Sequence, residues 1–292
     1  MQLAQTVEID HILIIDNNSS DGTYDYLYSE GIIALPNVCY YNIGENTGGA
    51  GGFEFGIKKA LEIDDDIICL MDDDGRPFDE KCFEAALKTI PYQTPNDSIP
   101  IFINSLVQKD EVFISFPLEG KIRLVNDAIK MSNDGFLKGY SSPFNGTFIN
   151  KDLVDIIGLP RGEFFIRFDE VDYYYKARDC GSFMGVAVNS HYYHPSTPEY
   201  EEKRFLGLVF RNGYEAPWKE YYKMRNLTVL ERERGKTAFK SYISCKIYLF
   251  GLLLFKFKDR KTLKRFIKQG YIDANKHKMG RTILPGQLEI TK

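Results

Sequence analysis

Three consecutive carboxylates, Asp72, Asp73 and Asp74, follow the apolar run Ile67–Leu70. An apolar run bounded by acids predicts a short buried strand, and open α/β sheets place their ligand sites at the carboxyl ends of strands. Adjacent carboxylates repel one another unless a cation lies among them, and oxygen ligands suit Mg²⁺ or Mn²⁺. The cluster therefore predicts a divalent-cation site for a diphosphate substrate, and a solvated acidic turn is the alternative.

A second acidic group lies further along the chain. The aromatic run from 164 to 168 predicts a strand that leads into Asp169, Glu170 and Asp172, and a helix follows from 172 to 177. The next predicted strand, 184–188, leads to His191 and His194, two of the four histidines of the chain. A pair of surface histidines is the simplest interpretation of these two residues taken alone.

The first part of the chain shows a strand followed by a polar turn, twice. A strand at 12–15 stops at Asp16, and a helix is predicted from about Thr23. A second strand at 38–42 precedes the glycine-rich segment 44–53, which opens a helix that continues to residue 61. Such a loop can bring backbone N–H groups close to phosphate or sugar oxygens. The segment lacks the Walker and dinucleotide signatures, so a tight turn with close helix packing is the alternative.

The middle of the chain continues the alternation of strands and helices. We predict a helix at 78–90, a loop at 91–100, strands at 101–107 and 111–116, an irregular surface excursion at 117–140, a strand at 144–149 and a helix at 152–157.

Composition bounds the class of protein. The chain has 292 residues, 43% of them hydrophobic and 27% charged, which is ordinary for a globular protein. Its net charge of -4 gives no reason to expect a nucleic-acid partner. Five scattered cysteines without a CxxC pair and a start without signal-peptide character predict a cytoplasmic location.

The last part of the chain is helical and basic, so we predict a domain at 1–215 and a basic helical region at 216–292. The apolar run 248–255 is far shorter than the roughly 20 residues of a spanning helix. Seven basic residues follow it against one acid: Lys256, Lys258, Arg260, Lys261, Lys264, Arg265 and Lys268, with Asp259. This region is expected either to lie peripherally on the inner face of a membrane or to pack on the rest of the protein with a solvated basic face.

Six motifs in order resemble the family 2 inverting glycosyltransferases of GT-A fold, a Rossmann-like mixed sheet flanked by helices. The similarity extends from about residue 8 to about 280, and the galactofuranosyltransferase branch is the most similar, followed by rhamnosyltransferase-like members. The motifs are residues 14–23, 46–53, 71–74, 144–147, 168–173 together with His194, and 221–226.

The resemblance implies roles for individual residues. Asp72, Asp74 and His194 would hold Mn²⁺ or Mg²⁺. The predicted contacts to a nucleotide-sugar donor, with a UDP-sugar expected, are Asp16, Asn46, Gly48, Gly49, Asp72, Asp73 and Arg225. Glu170, or its neighbour Asp169, occupies the place of the general base, and adjacent residues at a strand end would point to opposite sides. Asp172 and Asn145 are predicted on the side of the acceptor, a glycan or a lipid-linked glycan.

An inverting transfer is one in-line displacement, which needs a carboxylate to accept the proton of the acceptor hydroxyl and a cation to stabilise the departing diphosphate. The two acidic clusters supply both. Relatives normally have a first strand and helix before the matching segment, and this chain is expected to lack that β-α unit, which leaves an edge open to pairing in a homo-oligomer. The alternatives are a dTDP-rhamnose or UDP-hexose transferase of the same fold, a non-catalytic glycan- or partner-binding relative, and, more distantly, a phosphatase or sugar-nucleotide hydrolase.

Overall fold

The computed structural model describes residues 5–63, 66–91, 99–141, 143–195, 201–212, 216–255 and 259–287. Asp64 and Asp65, most of the predicted loop at 91–100, and Lys256 and Lys258 lie outside these ranges.

Strands and helices alternate through most of the chain. The strands are β1 Ile12–Asp16, β2 Val38–Asn42, β3 Ile67–Leu70, β4 Arg76–Pro77, β5 Ile101–Gln108, β6 Phe113–Leu118, β7 Ile122–Leu124, β8 Phe136–Lys138, β9 Thr147–Asn150, β10 Phe183–Tyr193, β11 Glu201–Phe205 and β12 Leu208–Asn212. The helices are α1 Thr23–Ser29, α2 Gly48–Glu62, α3 Cys82–Leu87, α4 Val125–Met131, α5 Lys151–Ile157, α6 Asp169–Asp179, α7 Pro217–Glu233, α8 Ala238–Leu254 and α9 Arg260–Asn275.

The chain forms two compact units. The first comprises Met1–Asn46, Gly52–Pro160 and Glu170–Thr197, and the second comprises Thr47–Gly51, Arg161–Asp169 and Pro198–Lys292. The domain boundary between residues 215 and 216 stays a prediction from composition.

A mixed sheet forms the centre of the first unit, as expected for the GT-A fold. Its principal order is β3-β9-β5-β10-β4, with β6 and β7 added beside β5, and β8 paired with β10. The pair β5–β10 is parallel, whereas β9 runs antiparallel to both β3 and β5. Every residue of β5 is buried, because helices cover both faces of a central strand.

Two hydrophobic clusters fill the two sides of this sheet. On one side Ile57 of α2, Leu153 of α5 and Tyr173 of α6 pack with Phe102 and Ile149 of the strands. On the other side Cys82 and Phe83 of α3 pack with residues of β5, β9 and β10. The sheet is therefore the scaffold that carries the strand ends on which the predicted site residues lie.

The segment 117–140, expected to be an irregular surface excursion, belongs to the core, so that prediction was wrong. It contains β7, α4 and β8, and Leu118, Val125 and Leu137 pack against Leu106 and Val186 of the sheet. The sequence shows no clear periodicity here, because each of these elements is at most seven residues long and contains polar residues.

Strands β1 and β2 form a parallel pair in which Asp16 lies opposite Asn42. Helix α2 packs against β1 closely, since a Cβ atom at Gly56 would lie 3.1 Å from Ile15 and one at Gly52 would lie 2.9 Å from the Asn17 side chain. Part of the glycine-rich segment therefore serves close helix packing.

The second unit has a helical core. α7 and α9 pack through Tyr221, Tyr222 and Phe266, with Phe165 and Ile283 in the same cluster. α8 joins them through Cys245 and Leu252. The antiparallel hairpin of β11 and β12 belongs to the same unit. In the part of the chain that the structure describes, no helix is long and apolar enough to cross a membrane.

Candidate functional site

Asp72, Asp74 and His194 converge in the first unit. Each offers one ligand atom, and these atoms lie within 4.8 Å of one another. The two carboxylates are exposed and follow β3, while His194 follows β10, so two strand ends of one sheet bring the three side chains together. Two carboxylate oxygens and one imidazole nitrogen are a ligand set that Mn²⁺ accepts, and Mg²⁺ is compatible with the carboxylates.

The His194 ring is oriented for a cation. Its Nδ1 lies 2.6 Å from the carbonyl oxygen of Pro195, and Nε2 lies 3.0 Å from Oδ1 of Asp74. When Nδ1–H donates to this carbonyl, Nε2 presents a lone pair to the Asp74 carboxylate. A lone pair and a carboxylate oxygen repel each other at this distance unless a proton or a cation lies between them. That positive charge is either a proton on the ring or a metal ion, so the residues fit a divalent cation.

The first unit holds His194 from several sides. Its N–H donates to the Gln108 carbonyl at the end of β5, and its carbonyl accepts from Ser115 Oγ at 2.7 Å. The Phe116 ring lies 4.8 Å from the imidazole, measured between centroids. His191 has a different environment, since its Nδ1 lies 2.9 Å from Oε1 of Gln108. Of the two histidines, His194 is therefore the one that faces the carboxylates.

Asn145 orients Asp72. Its Nδ2 donates to Oδ2 of Asp72 at 3.0 Å, and its Oδ1 accepts from the Asp72 backbone N–H at 3.3 Å. Asn145 is itself buried, so the structure gives it a positioning contact on the metal side, and its predicted contact with an acceptor stays a prediction. The turn leaves no room for a side chain at Gly75, where a Cβ atom would lie 2.6 Å from Oη of Tyr192.

Removal of water raises the pKa of the Asp72 carboxyl, and repulsion from Asp74 and Asp73 adds to the increase. The Asn145 amide and the charge of His194 act in the opposite direction. Asp72 as a residue is exposed, but its carboxylate is enclosed by these neighbours. A bound cation would relieve the repulsion, so the environment is suited to one.

Asp16 ends β1 and is buried among donors. Its Oδ1 accepts from the Ser19 N–H at 2.7 Å, and its Oδ2 accepts from the Tyr40 hydroxyl and from Nδ2 of Asn42. Burial acts to raise the pKa of Asp16, but these hydrogen bonds outweigh it and lower the pKa. Asp16 is thus held as a carboxylate at the end of a parallel strand pair, where α/β folds bind ligands. Tyr40 and Asn42 were not predicted, although Asn42 ends β2 just as Asp16 ends β1.

The three predicted donor contacts before and within α2 differ in environment. Asn46 is half-buried and Gly49 is exposed, with no atom within 4 Å of a Cβ at Gly49. Gly48 is buried at a φ of 72°, and a Cβ there would lie 2.0 Å from the Phe165 carbonyl oxygen. Gly48 therefore serves close packing inside the second unit, whereas Gly49 leaves space for a ligand.

The run 164–168 is not a strand, which corrects the prediction. A 3₁₀ turn at Gly162–Phe164 is followed by positive φ angles at Phe165, Arg167 and Phe168, of 65°, 68° and 69°. Phe164 and Phe165 are buried, so the apolar pattern reflects packing. We call residues 163–168 the strained loop, because non-glycine residues rarely adopt these angles and such outliers cluster at functional sites.

Two adjacent residues of α7 hold the strained loop. Arg225 is 0% exposed and donates to the carbonyls of Glu163 and Phe164, as well as to that of Gly280. Nδ2 of Asn226 lies within hydrogen-bonding distance of the carbonyls of Phe164, Ile166 and Arg167. The Arg225 guanidinium donates to these carbonyls inside the second unit, so the structure gives no support to the donor contact predicted for it.

Asp169 and Glu170 lie in the first turn of α6 and not at a strand end, so the expectation that they point to opposite sides of a strand was wrong. On a helix their directions differ by about 100°. Asp169 is buried and Glu170 is partly exposed. Asp172 is buried and pairs with Lys176, whose Nζ lies 2.8 Å from Oδ2. Of these carboxylates, Glu170 is the most accessible to an acceptor.

The comparisons with known proteins agree with this geometry. The family model for glycosyl transferase family 2 matches residues 2–131. Galactofuranosyltransferase GlfT1 of Mycolicibacterium smegmatis is 29% identical over 241 residues, which cover 80% of this chain and 77% of that protein. GlfT1 of Mycobacterium tuberculosis is 28% identical over 227 residues, 76% of this chain and 73% of that protein.

A solved structure shows the same fold. The crystal structure of GalNAc-T7 with UDP, GalNAc and Mn²⁺ aligns with a TM-score of 0.54 at 15% identity, over 91% of this chain. The aligned region is 50% of that longer chain. The family match over residues 2–131 and the GlfT1 relatives show that the chain is similar to the glycosyltransferases of family 2, and the solved structure shows that it has the GT-A fold.

Proposed function

We propose that the protein transfers galactofuranose from UDP-galactofuranose to a hydroxyl group of a glycan or lipid-linked glycan, with inversion and with a divalent cation. The arrangement of Asp72, Asp74 and His194 carries the proposal, since Nε2 of His194 and Oδ1 of Asp74 approach to 3.0 Å. The identity of the sugar is taken from the GlfT1 relatives, which match most of this chain.

The residues have separate tasks in this proposal. Asp72, Asp74 and His194 would hold Mn²⁺ or Mg²⁺, and a bound ion would supply positive charge for the departing diphosphate. Asn145 keeps the Asp72 carboxylate in place through two hydrogen bonds. Glu170, at the start of α6, accepts the proton of the attacking hydroxyl, and Asp16 contacts the nucleoside.

Calorimetric titration with UDP, with and without Mn²⁺, tests the site. We expect binding that requires the metal and is lost in Asp74→Asn. Asp155→Asn is the matched control, because Asp155 is an exposed carboxylate of the same unit that pairs with Lys151. Metal-dependent binding that persists unchanged in Asp74→Asn would contradict the assignment.

Turnover then tests the base and the donor. Glu170→Gln should lower kcat by about 10²–10⁴-fold while UDP affinity stays the same, whereas Asp169→Asn should have the smaller effect on kcat. A panel of UDP-galactofuranose, UDP-galactopyranose and dTDP-rhamnose separates the proposed donor from the alternatives of the same fold. Faster transfer from either of the last two would replace the donor while leaving the metal site in place.

A further inference from the structure

Helix α8 has two apolar faces. One face packs in the second unit, where Cys245 and Leu252 contact residues of α7 and α9. The residues of the opposite face recur every three or four positions and are exposed: Phe239, Tyr242, Ile243, Ile247 and Phe250. A helix that is apolar on all sides is normally buried in protein or in lipid. The second face of α8 therefore lacks the environment that its composition suits.

The hairpin of β11 and β12 extends this face. The Phe205 ring lies 5.5 Å from that of Phe250, measured between centroids, and Phe210 lies 6.2 Å from it. Nζ of Lys203 donates to the carbonyl of Leu254 at 2.8 Å, which fixes the hairpin at the end of α8. We call the exposed residues of α8 and of the hairpin tip, from Phe205 to Val209, the docking face.

The tip of the hairpin has a strained backbone conformation. Leu206 and Gly207 form its two-residue turn, with φ angles of 47° and 76°. Turns of this kind favour Asn or Gly at the first position, because a branched side chain is strained at positive φ. Leu206 is nevertheless 87% exposed, so the side chain gains nothing from the described protein in return. An exposed apolar side chain at a strained backbone position is consistent with contact to an apolar environment outside the chain.

The basic residues near the docking face indicate which apolar environment it contacts. The chain as a whole has a net charge of -4, yet α8 contains Lys240 and Lys246 and no acidic residue. The next helix, α9, adds exposed basic side chains at Lys261, Lys264, Arg265 and Lys268. Apolar residues flanked by lysines are the pattern of elements that lie in the interface of an anionic bilayer. With 17 residues, two of them lysines, α8 is not long and apolar enough to span a bilayer, and it is long enough to lie along its surface.

We propose that the docking face inserts into the surface of an anionic lipid bilayer, with Leu206 at the hairpin tip and the apolar stripe of α8 below the headgroups and the lysines among them. The proposal does not depend on the donor or on the metal site. Those sites are tested by UDP binding in the absence of lipid.

Flotation with vesicles tests the proposal, using the whole chain. Phosphatidylcholine vesicles are compared with vesicles of phosphatidylcholine and phosphatidylglycerol, and we expect binding to the mixture only. Leu206→Asn should lower the partition coefficient about ten-fold, because one leucine is no longer buried. Asn suits the turn better than Leu, so this variant should fold at least as well. Lys240→Gln together with Lys246→Gln should lower it about thirty-fold, or about five-fold for each lysine.

Ile156→Asn is the matched control, since Ile156 is an exposed apolar residue of the first unit, and its partitioning should equal that of the original chain. The proposal is overturned if the original chain floats with neither kind of vesicle, or if Leu206→Asn binds as tightly as the original. Light scattering without lipid measures whether the chain self-associates. If the chain self-associates, Leu206→Asn abolishes that association and no vesicle binds, the docking face is a protein interface instead.

Discussion

The Asn226 amide is one of two groups that hold the strained loop, and the Arg225 guanidinium is the other. Nδ2 of Asn226 approaches three backbone carbonyls, of Phe164, Ile166 and Arg167, at 2.8 to 3.0 Å. The NH₂ group has two hydrogens and so makes at most two full hydrogen bonds at a time, each of about 1 kcal/mol net, so the amide contributes about 2 kcal/mol. Three residues at positive φ cost at least about 1 kcal/mol each, so strain and hydrogen bonding are of similar size. Without the amide the loop should relax.

Asn226→Asp is the sharpest perturbation of this balance. The substitution keeps the shape and the acceptor for Nε of Arg225, but it turns an N–H donor into an oxygen that repels the three carbonyls. A loss of about 2 kcal/mol raises the population of the open loop by about thirty-fold. Trypsin cleavage after the exposed Arg167 reports this population, because proteolysis follows the open form when opening is fast.

The control for this experiment is Asn275→Asp. Asn275 is exposed and bonds the carbonyl of Tyr271 within α9, so its loss should leave cleavage after Arg167 unchanged. In Asn226→Asp we also expect kcat to fall by about ten- to a hundred-fold with UDP affinity retained, because Glu170 lies only two residues after the end of the loop. Equal cleavage rates for the two variants would refute the reasoning that Asn226 holds the loop.

Three further substitutions test separate parts of the first and second units. Gly75→Ala should weaken Mn²⁺ binding and lower stability by about 1–3 kcal/mol, since its Cβ would meet Tyr192 and Asn145; calorimetry and urea unfolding measure both. Gly49→Ala should raise stability by about 0.5–1 kcal/mol, as its Cβ would meet nothing, and a simultaneous loss of UDP affinity would support a donor contact at this position. Because the pKa of Asp16 is lowered in the fold, its carboxylate contributes to the free energy of unfolding at any pH above the ordinary pKa of an aspartate. This contribution is lost as pH falls through the lowered pKa. Asp16→Asn should therefore flatten the acid limb of stability against pH in urea unfolding, and an unchanged limb would contradict this.

The ends of strands β1 and β3 could be predicted from the local pattern of apolar and polar residues. Ile67–Leu70 forms β3 and is followed by the acidic cluster, and the strand predicted at 12–15 ends at Asp16 as β1. In both places a short apolar run and the polar residues after it are adjacent in sequence, so the signal is contained in a few residues. The meeting of Asp74 with His194 followed from the resemblance to a family, because nothing local connects residues so far apart.

The strained loop could not be predicted from its own residues. An aromatic run favours a strand, yet the carbonyls of this run are bonded by Asn226, about sixty positions away. Tertiary hydrogen bonds thus override the local preference. The burial of Leu118 and Val125 has a similar origin, since the sheet that covers them is formed by distant strands. Arg225 belonged to a recognised motif, but only the structure gives its guanidinium the role of a support for the loop.

The glycines of α2 have a consequence for how the protein folds. Five of its first nine residues are glycine, Gly48, Gly49, Gly51, Gly52 and Gly56, and each costs about 1 kcal/mol relative to alanine. A peptide of this sequence would not be helical alone, so the helix forms only as Gly52 and Gly56 meet β1 and as the Phe165 carbonyl accepts the N–H of Ala50. Helix formation is therefore coupled to tertiary assembly. Amide exchange at the start of α2 should consequently report whether the strained loop and β1 are in place.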